Sequence, residues 1–376
     1  MLATFDDFRS AARRRLPRLL FDYIDGGSYA ERTLAANTAD FAGVSLRQRV
    51  LRNVSKLETG VDLFGAHYSM PLVLAPVGMA GLYARRGETQ AARAATKAGI
   101  PLCLSTLSIC GLAEVARTAA PWFQLYVLKD RGYMRELIVR AKAVGSPVLV
   151  FTVDLPLPGA RYRDVRSGLF GGGTASRLRL AWDGVTHPRW LWDVWLNGRP
   201  HSFENVVKAV GKGAGFSDFW VWVRENFDPT ITWDDLSWIR EAWGGPIVIK
   251  GILDPEDAKR ACEAGIDGIV VSNHGGRQLD DALSGIRALP AVVDAVEGRA
   301  IVLMDGGVRS GLDMLKALAL GAKACMVGRP WAFALAAGGS RGVGALLSTM
   351  LAELQTAMAL TGCTDVARAN RDLLAV

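Results

Sequence analysis

The sequence has few of the features on which disulfide-rich, zinc-binding and membrane-spanning proteins depend. No stretch of about 18 uncharged apolar residues is present, so we expect no membrane-spanning helix. The first residues lack a basic region followed by an apolar one, so we expect no secretory signal. The five cysteines are scattered and never spaced as C-x-x-C, which argues against a disulfide framework or a zinc site and favours a reducing compartment: Cys103, Cys110, Cys262, Cys325 and Cys363.

The composition is that of an ordinary soluble globular protein with a sizeable core. The 376 residues are 50% apolar and 22% charged, and this length allows one to three domains. The 41 glycines suit a fold with many tight turns between strands and helices. Histidine is scarce, with four in the chain, so a histidine inside a glycine-rich turn is a candidate for proton transfer.

The net charge of +7 is unevenly distributed. Residues 161–215 hold nine Lys or Arg against four Asp or Glu, an excess of five positive charges. Basic residues mixed with tryptophan suit the interface of an anionic membrane, and packing on the domain itself or on another subunit is the alternative. Nucleic acid is not expected as a partner, because no RNA- or DNA-binding motif is present. Six of the eleven tryptophans lie in or beside this segment: Trp182, Trp190, Trp192, Trp195, Trp220 and Trp222.

Eight short apolar runs follow a first segment, residues 1–65, that we predict to be helical. Thr4 and Asp7 resemble a capping box, and a second helix is predicted from about Pro17 to Gly26. Apolar runs that alternate with helical patterns indicate βαβ units, and eight units indicate an α/β fold, a (β/α)8 TIM barrel. The predicted strands are Leu72–Ala75, Leu102–Ser105, Trp122–Tyr126, Val148–Val153, Ile247–Lys250, Gly268–Ser272, Ile301–Asp305 and Ala324–Gly328.

We therefore expect a single domain over residues 1–376. The N-terminal helical segment would cover 1–65 and the barrel 66–376. The interval after the fourth strand is far longer than the others, which predicts an insertion over residues 156–245. A loop of that length is uncommon and is usually functional, and the tryptophan-rich part of this one is the candidate membrane-binding segment.

Polar residues and glycines collect where the predicted strands end. Because the carboxyl ends of barrel strands meet on one face, these residues are predicted to share a site. The seventh and eighth predicted strands end at Gly306-Gly307 and Gly328-Arg329, where such barrels often bind phosphate. Since the G-x-G-x-x-G spacing is absent after the seventh strand, we expect one phosphate of a mononucleotide and no nicotinamide cofactor.

The stretch from Ser272 to Asp280, SNHGGRQLD, carries the strongest chemical signal. His274 follows a predicted buried strand, where a neutral imidazole can accept a proton. Arg277 lies three residues later and can hold a planar carboxylate through two parallel hydrogen bonds. A base beside a carboxylate clamp suits chemistry at the carbon next to a carboxylate.

The sequence alone leaves the roles of three further charged residues open. Lys250 either closes an ion pair or places a fixed positive charge beside a cofactor ring. Asp154 is either a structural carboxylate or the group that orients His274. Arg161 is either a solvated loop charge or part of the site.

These motifs resemble the FMN-dependent 2-hydroxy acid dehydrogenase and oxidase family, which includes glycolate oxidase, mandelate dehydrogenase and the bacterial membrane-associated L-lactate dehydrogenases. The resemblance covers nearly the whole chain. SNHGGRQLD is highly specific, and LPRLLFDYIDGG from Leu16 to Gly27 matches the N-terminal helix of the family. The segments that look most like the bacterial L-lactate dehydrogenases are YARRGE at 83–88, PGARYRD at 158–164 and NFDP at 226–229.

The resemblance implies a TIM barrel that holds FMN, with no metal. His274 would be the base, supported by Asp154; Arg161 and Arg277 would hold the substrate carboxylate, and Tyr23 and Tyr126 would add hydroxyl contacts. The cofactor would be bound by Ala75, Pro76, Val77, Gly78, Ser105, Gln124, Thr152, Lys250 and Ser272, and its phosphate by the residues from Asp305 through Gly306, Gly307 and Val308 to Arg309, with Gly328 and Arg329.

The resemblance further implies oxidation of L-lactate to pyruvate, with electrons passed to quinone. The enzyme would be a peripheral protein at the cytoplasmic face of the cell membrane and a homo-oligomer, with a homotetramer expected. The alternatives are a bulkier acid such as mandelate, or a soluble oxidase that makes hydrogen peroxide. Gly78 and Leu107 differ from the larger residues of glycolate-type oxidases, which argues against the oxidase. A phosphate-binding isomerase or a non-catalytic barrel would not need two arginines around a base.

Overall fold

Three helices open the chain and end where the sequence provides caps. In the computed structural model, which describes residues 2–168, 182–211 and 216–375 without the side chains of 216–220, they are Phe5–Arg15, Arg18–Asp25 and Arg32–Ala39. Thr4 and Asp7 form the expected capping box, and Pro17 and Gly26 flank the second helix. The prediction of helix throughout residues 1–65 is wrong, because helical structure ends with the 3-10 turn Asp40–Gly43.

A two-stranded hairpin follows and covers the N-terminal end of the barrel. Its strands are β1 (Val61–Leu63) and β2 (Ala66–Tyr68), paired antiparallel. The rings of Phe64 and Tyr68 contact Trp122, with centroids 5.5 and 6.3 Å away, and the indole N–H donates to the Tyr68 hydroxyl at 3.2 Å. The predicted boundary between residues 65 and 66 therefore falls inside a hairpin that packs on the barrel.

Eight parallel strands form the predicted barrel. Neighbours follow chain order from the second barrel strand to the eighth, the eighth pairs with the first, and a parallel bridge between Leu74 and Leu102 joins the remaining two edges. Each predicted apolar run matches one strand, although the strand that begins at Ile247 extends two residues beyond its run. The α/β TIM-barrel prediction is therefore confirmed. The strands are β3 (Leu72–Leu74), β4 (Cys103–Ser105), β5 (Trp122–Tyr126), β6 (Leu149–Thr152), β7 (Ile247–Ile252), β8 (Gly268–Val271), β9 (Ile301–Met304) and β10 (Ala324–Val327).

Side chains alternate along the strands between two buried layers. Val150 and Val248 pack inside the barrel, whereas Phe151 and Ile249 pack outside it against the helices. This alternation buries both faces of the sheet, as expected for parallel strands with crossover helices. The helices that follow the eight strands are Gly87–Lys97, Leu112–Ala116, Arg131–Ala143, Leu236–Trp243, Pro255–Glu263, Gly285–Val296, Gly311–Ala319 and Arg329–Thr361.

The insertion after β6 is shorter than predicted, because Leu236–Trp243 is the barrel helix of that unit. Part of the insertion belongs to the core. Trp190 is 4% exposed and its indole N–H donates to the carbonyl of Leu82 at 2.8 Å. The described helical elements of the insertion are Tyr162–Ser167, residues 182–186, Pro188–Trp190, the π-helical Leu191–Leu196, Val207–Val210, Phe216–Asn226 and the 3-10 helix Trp233–Asp235.

The last helix, Arg329–Thr361, is the one helix in the described ranges that is long and apolar enough to cross a membrane. Its backbone is non-helical at Gly338 and Gly339, and it packs against the helices Phe5–Arg15, Gly87–Lys97 and Gly311–Ala319. These are the properties of a core helix, so its length and composition carry no argument for a membrane span.

Candidate active site

His274 and Asp154 meet at the carboxyl ends of β8 and β6. The imidazole Nδ1 lies 2.8 Å from Asp154 Oδ1. Burial raises the pKa of Asp154, but His274 and Lys250 outweigh it and hold that pKa below its ordinary value. The ionised carboxylate accepts a hydrogen bond from Nδ1–H, which leaves Nε2 as the basic nitrogen of the ring. Gly251 makes the approach of the carboxylate feasible, since a Cβ there would lie 2.6 Å from Asp154 Cβ.

Arg161 and Arg277 converge on the ring of Tyr23. The guanidinium carbons lie 5.4 Å and 4.5 Å from the ring centre, respectively. Arg277 also donates to the backbone carbonyls of Tyr23 and Gly26, which fixes its orientation. Two guanidinium groups over one ring form a positive site in which a carboxylate can be held by paired hydrogen bonds.

A small pocket lies beside these arginines. Its polar side is formed by His274, the two arginines, Tyr23, Tyr126 and Gln278, and its apolar side by Leu107, Leu155, Pro158, Val223 and Phe227. Burial raises the pKa of Tyr126, so its phenol keeps its proton and can donate a hydrogen bond. The pocket suits a short carboxylic acid with an apolar substituent and a polar group next to the carboxylate.

A second, larger cavity opens next to this pocket and shares four residues with it. It lies at the carboxyl ends of β3, β6, β7, β9 and β10. Most of the predicted site residues line it: Tyr23, Ala75, Pro76, Val77, Gly78, Tyr126, Thr152, Lys250, His274, Arg277, Asp305, Gly306, Gly307, Val308, Arg309, Gly328 and Arg329.

The other predicted residues support this lining or the smaller pocket. Lys250 Nζ lies 3.0 Å from Asp305 Oδ2 and donates to Ser272 Oγ at 2.8 Å. Burial lowers the pKa of Lys250, but Asp305 and Asp154 raise it above its ordinary value overall, so the ammonium group keeps its charge. Asp154 bonds to His274, Arg161 lines the smaller pocket, and Ser105 Oγ donates to Gln124 Oε1 at 3.1 Å.

One end of the larger cavity is built for an anion. Burial lowers the pKa of Arg309 to about 10, and burial together with Arg277 and Arg309 lowers the pKa of Arg329 well below its ordinary value. Gly306 and Gly307 adopt positive φ angles of 83° and 93°. Arg329 begins a helix, and the first N–H groups of a helix have no carbonyl partner within it. A phosphate at this end would stabilise both buried guanidinium groups.

The other end offers polar atoms without partners. Among the described residues, the buried Gln124 Nε2 and Thr152 Oγ1 have no hydrogen-bond partner, although burying such groups unpaired is costly. A flat polar ring edge would satisfy them. FMN carries both a phosphate and a flat polar ring. The anion-binding end, these unpaired polar atoms and the adjacent Lys250 therefore fit FMN. No group of three or more metal-ligating side chains occurs in the described part of the chain.

Comparison with known proteins identifies the family of this chain. A sequence profile of the FMN-dependent dehydrogenases matches residues 12–376. The chain belongs to the FMN-dependent dehydrogenase family. An L-lactate dehydrogenase of Caulobacter vibrioides is 58% identical over 377 residues, which cover 100% of this chain and 98% of that protein. An L-lactate dehydrogenase of Yersinia pestis is 55% identical over 378 residues, covering 100% and 99%.

Solved structures of this family share the fold over the whole chain. A monotopic membrane protein, (S)-mandelate dehydrogenase, superposes with a TM-score of 0.93 at 34% identity and covers 100% of this chain and 99% of its own. Mandelate oxidase superposes with a TM-score of 0.84 at 40% identity, covering 98% and 97%. The resemblance predicted from the motifs is therefore confirmed, and this protein is an FMN-dependent dehydrogenase.

Sequence reasoning missed several residues of this dehydrogenase's site. Asp164 is 1% exposed and its Oδ2 lies 3.4 Å from Arg161; burial raises the pKa of Asp164, although Arg161 and Arg277 oppose the shift. The Tyr83 hydroxyl donates to the Gly78 carbonyl at 2.9 Å. Both residues, and Phe227, belong to motifs that carried the family resemblance. Gln278 lies in the SNHGGRQLD motif, whereas Val223 belongs to no motif that the sequence offered.

Proposed function

We propose that this dehydrogenase oxidises L-lactate to pyruvate and passes the electrons to quinone. The observation that carries the proposal is the smaller pocket. It is lined by His274, which is paired with Asp154, by Arg161 and Arg277, and by an apolar side. The curated relatives at 55–58% identity, named L-lactate dehydrogenases, support the choice of acid.

Each residue of the pocket has a role that follows from its chemistry. Arg161 and Arg277 bind the carboxylate and fix which face of the α-carbon is presented, which gives stereoselectivity. Tyr23 and Tyr126 contact the substrate oxygens. His274 Nε2 takes the proton of the 2-hydroxyl group, and Asp154 stabilises the imidazolium that forms. The products are pyruvate, two protons and two electrons.

The larger cavity is where we place FMN. When bound, FMN supplies the acceptor for the two electrons of the α C–H bond. Gln124, Thr152 and Ser105 would bind the ring edge, with Ala75, Pro76, Val77 and Gly78 along its face. Lys250, held by Ser272 and Asp305, places a positive charge beside it. Its phosphate would be bound by Gly306, Gly307, Val308, Arg309, Gly328 and Arg329.

Oxidation of mandelate is the second candidate, because the solved relatives named above act on mandelate by name. A visible spectrum of the purified protein, followed by anaerobic addition of L-lactate, D-lactate, glycolate and mandelate, separates the candidates. We expect FMN in acid extracts at about one copy per chain and rapid bleaching by L-lactate. Recovery of FAD, or bleaching by mandelate alone, would contradict the proposal. Hydrogen peroxide formed in air at the rate of substrate oxidation would indicate an oxidase.

We further propose that the enzyme is a peripheral protein at the cytoplasmic face of the membrane. Trp182 and Trp192 are each 68% exposed, and Arg189 and Arg199 are exposed nearby in the chain. This mixture suits an anionic lipid surface. The monotopic (S)-mandelate dehydrogenase supports the proposal; Trp190 does not take part, because it is buried, and the side chain of Trp220 lies outside the described residues. That the protein is a homo-oligomer, with a homotetramer expected, stays a prediction. Measurement of its mass in solution tests it.

A further inference from the structure

Two asparagine side chains, 236 residues apart in the chain, form a closed pair behind the site. Asn37 lies on the helix Arg32–Ala39, and Asn273 directly precedes His274. Asn37 Nδ2 donates to Asn273 Oδ1 at 2.9 Å, and Asn273 Nδ2 donates back to Asn37 Oδ1 at 2.8 Å. The residues are 1% and 5% exposed. A buried amide pair of this kind is costly to break, because removal of one side chain leaves the donor and the acceptor of the other without this partner.

Asn273 closes the turn that holds the base. Its Oδ1 accepts a hydrogen bond from Gly276 N at 3.0 Å, and its Nδ2 also donates to the Leu283 carbonyl at 2.9 Å. The turn between them keeps His274 at a φ of 57°, a left-handed conformation that a non-glycine residue adopts only where surrounding contacts hold it. The next residue after this turn is Arg277.

Asn37 also touches the opposite side of the site. Its Oδ1 accepts from Gly285 N at 3.3 Å. A Cβ at Gly307 would lie 1.7 Å from the Asn37 carbonyl oxygen, and one at Gly306 would lie 3.0 Å from Asn37 Oδ1. The anion-binding turn therefore packs directly on Asn37, with no room for a side chain between them.

We propose that Asn37 is a positioning residue that holds the His274 turn and the Gly306–Gly307 turn in one fixed relation. This inference depends on the roles proposed above for His274 and for the phosphate end. Neither asparagine is among the described residues that line the two cavities, so Asn37 acts through Asn273 and the glycine backbone. Its removal affects both cofactor retention and the rate of the chemical step.

The test compares the holoenzyme with Asn37→Ala, Asn273→Ala and the double variant. Two quantities are measured: the rate of FMN release after dilution, and the first-order rate of anaerobic bleaching at saturating L-lactate. We expect Asn37→Ala to speed FMN release and to slow bleaching, each by roughly tenfold, the scale set by a lost buried hydrogen bond. The double variant should bleach about as slowly as Asn273→Ala alone, because Asn37 acts on the base through Asn273.

Met358→Ala is the matched control, since Met358 is fully buried on the last helix and its loss destabilises the fold away from the site. If Asn37→Ala changes both rates by less than twofold while unfolding as easily as Met358→Ala, Asn37 is structural only and the proposal is overturned. Additive effects in the double variant would also overturn it. If the alanine variant does not fold, Asn37→Asp takes its place, because it keeps the shape and the acceptor for Gly285 N–H.

The proposed function fails in a different way. In that case the parent enzyme is not bleached by any of the four acids, and the FMN release rates still decide the role of Asn37 in holding the Gly306–Gly307 turn.

Discussion

His274 Nδ1 lies 2.8 Å from Asp154 Oδ1 although the two residues are 120 positions apart. The contact joins the ends of two barrel strands separated by β7, and it fixes the imidazole in the tautomer that leaves Nε2 free to accept a proton. The orientation of the base is therefore set by the barrel, before any substrate binds.

Replacement of His274 by Gln tests the base. Glutamine keeps a hydrogen-bonding side chain but cannot take a proton, so turnover should fall about 10²–10⁴-fold while FMN stays bound. Stopped-flow bleaching under anaerobic conditions gives the rate, and the visible spectrum reports the cofactor. A loss of only about threefold would show that another group takes the proton.

Asp154→Asn tests the support of the base and has a distinct pH signature. Turnover should fall roughly a hundredfold or more, because the amide no longer stabilises the imidazolium. The pKa of Asp154 in the fold lies below its ordinary value of 3.8. Its contribution to the unfolding free energy is therefore present above that ordinary value and is lost as the pH falls through the lower folded one. Urea unfolding of parent and variant should give free energies that converge as the pH falls from about 5 towards the folded pKa of Asp154. A constant difference across that range would contradict the charge-based role.

Arg277→Lys tests the carboxylate clamp. Lysine keeps the charge but loses the planar fork. Its three N–H groups cannot bond to the Tyr23 and Gly26 carbonyls and also make two parallel bonds to a carboxylate. We expect a higher KM for L-lactate and slower bleaching at saturation, since the clamp both binds and aligns the acid. Arg287→Lys, on the exposed face of the following helix, is the control. Identical kinetics for the two variants would rule out the clamp.

The sequence predicts the strands and the charged centre of this site well, because both depend on local patterns. Each strand is an apolar run, and the base and clamp occupy one short motif next to a strand end. Asn37 and Val223 could not be predicted in this way. Their contacts join segments far apart in the chain, so their roles depend on how the N-terminal helix and the insertion pack on the barrel.

The packing of the insertion on the barrel decides which variants can test its role. Asn205 is fully buried; its side chain accepts from Leu112 N at 2.9 Å and donates to Ser108 Oγ at 2.9 Å. With Trp190 it ties the insertion to the strand ends. Removal of residues 182–210 would therefore disturb the core, and substitutions of exposed residues are the sharper experiment.

Val223→Ala tests whether the insertion sets the size of the accepted acid. Val223 is 2% exposed and lines the substrate pocket on the helix Phe216–Asn226, next to Phe227, whose ring lies 5.2 Å from that of Tyr126. A smaller side chain enlarges the apolar wall, so kcat/KM for 2-hydroxybutyrate relative to L-lactate should rise roughly tenfold.

Val221→Ala is the control for that change, because Val221 lies on the same helix and is 51% exposed. It should leave the ratio of the two acids unchanged. If Val223→Ala also leaves the ratio unchanged, the insertion does not limit the substrate.

The exposed tryptophans of the insertion give the test of membrane binding. Trp182 and Trp192 can lie at headgroup depth, and Arg189 and Arg199 each add about 1 kcal/mol of attraction to an anionic surface. Trp182→Ser combined with Trp192→Ser should weaken sedimentation with phosphatidylglycerol vesicles, while anaerobic bleaching by L-lactate stays at the parent rate. Binding by the parent should fall at high salt, because screening weakens the basic contribution. Val50→Ser with Leu51→Ser, two apolar side chains that are 72% and 102% exposed in the N-terminal segment, is the matched control. If both double variants bind vesicles as the parent does, the exposed tryptophans do not contact lipid. The alternative, that they contact another subunit, is then favoured.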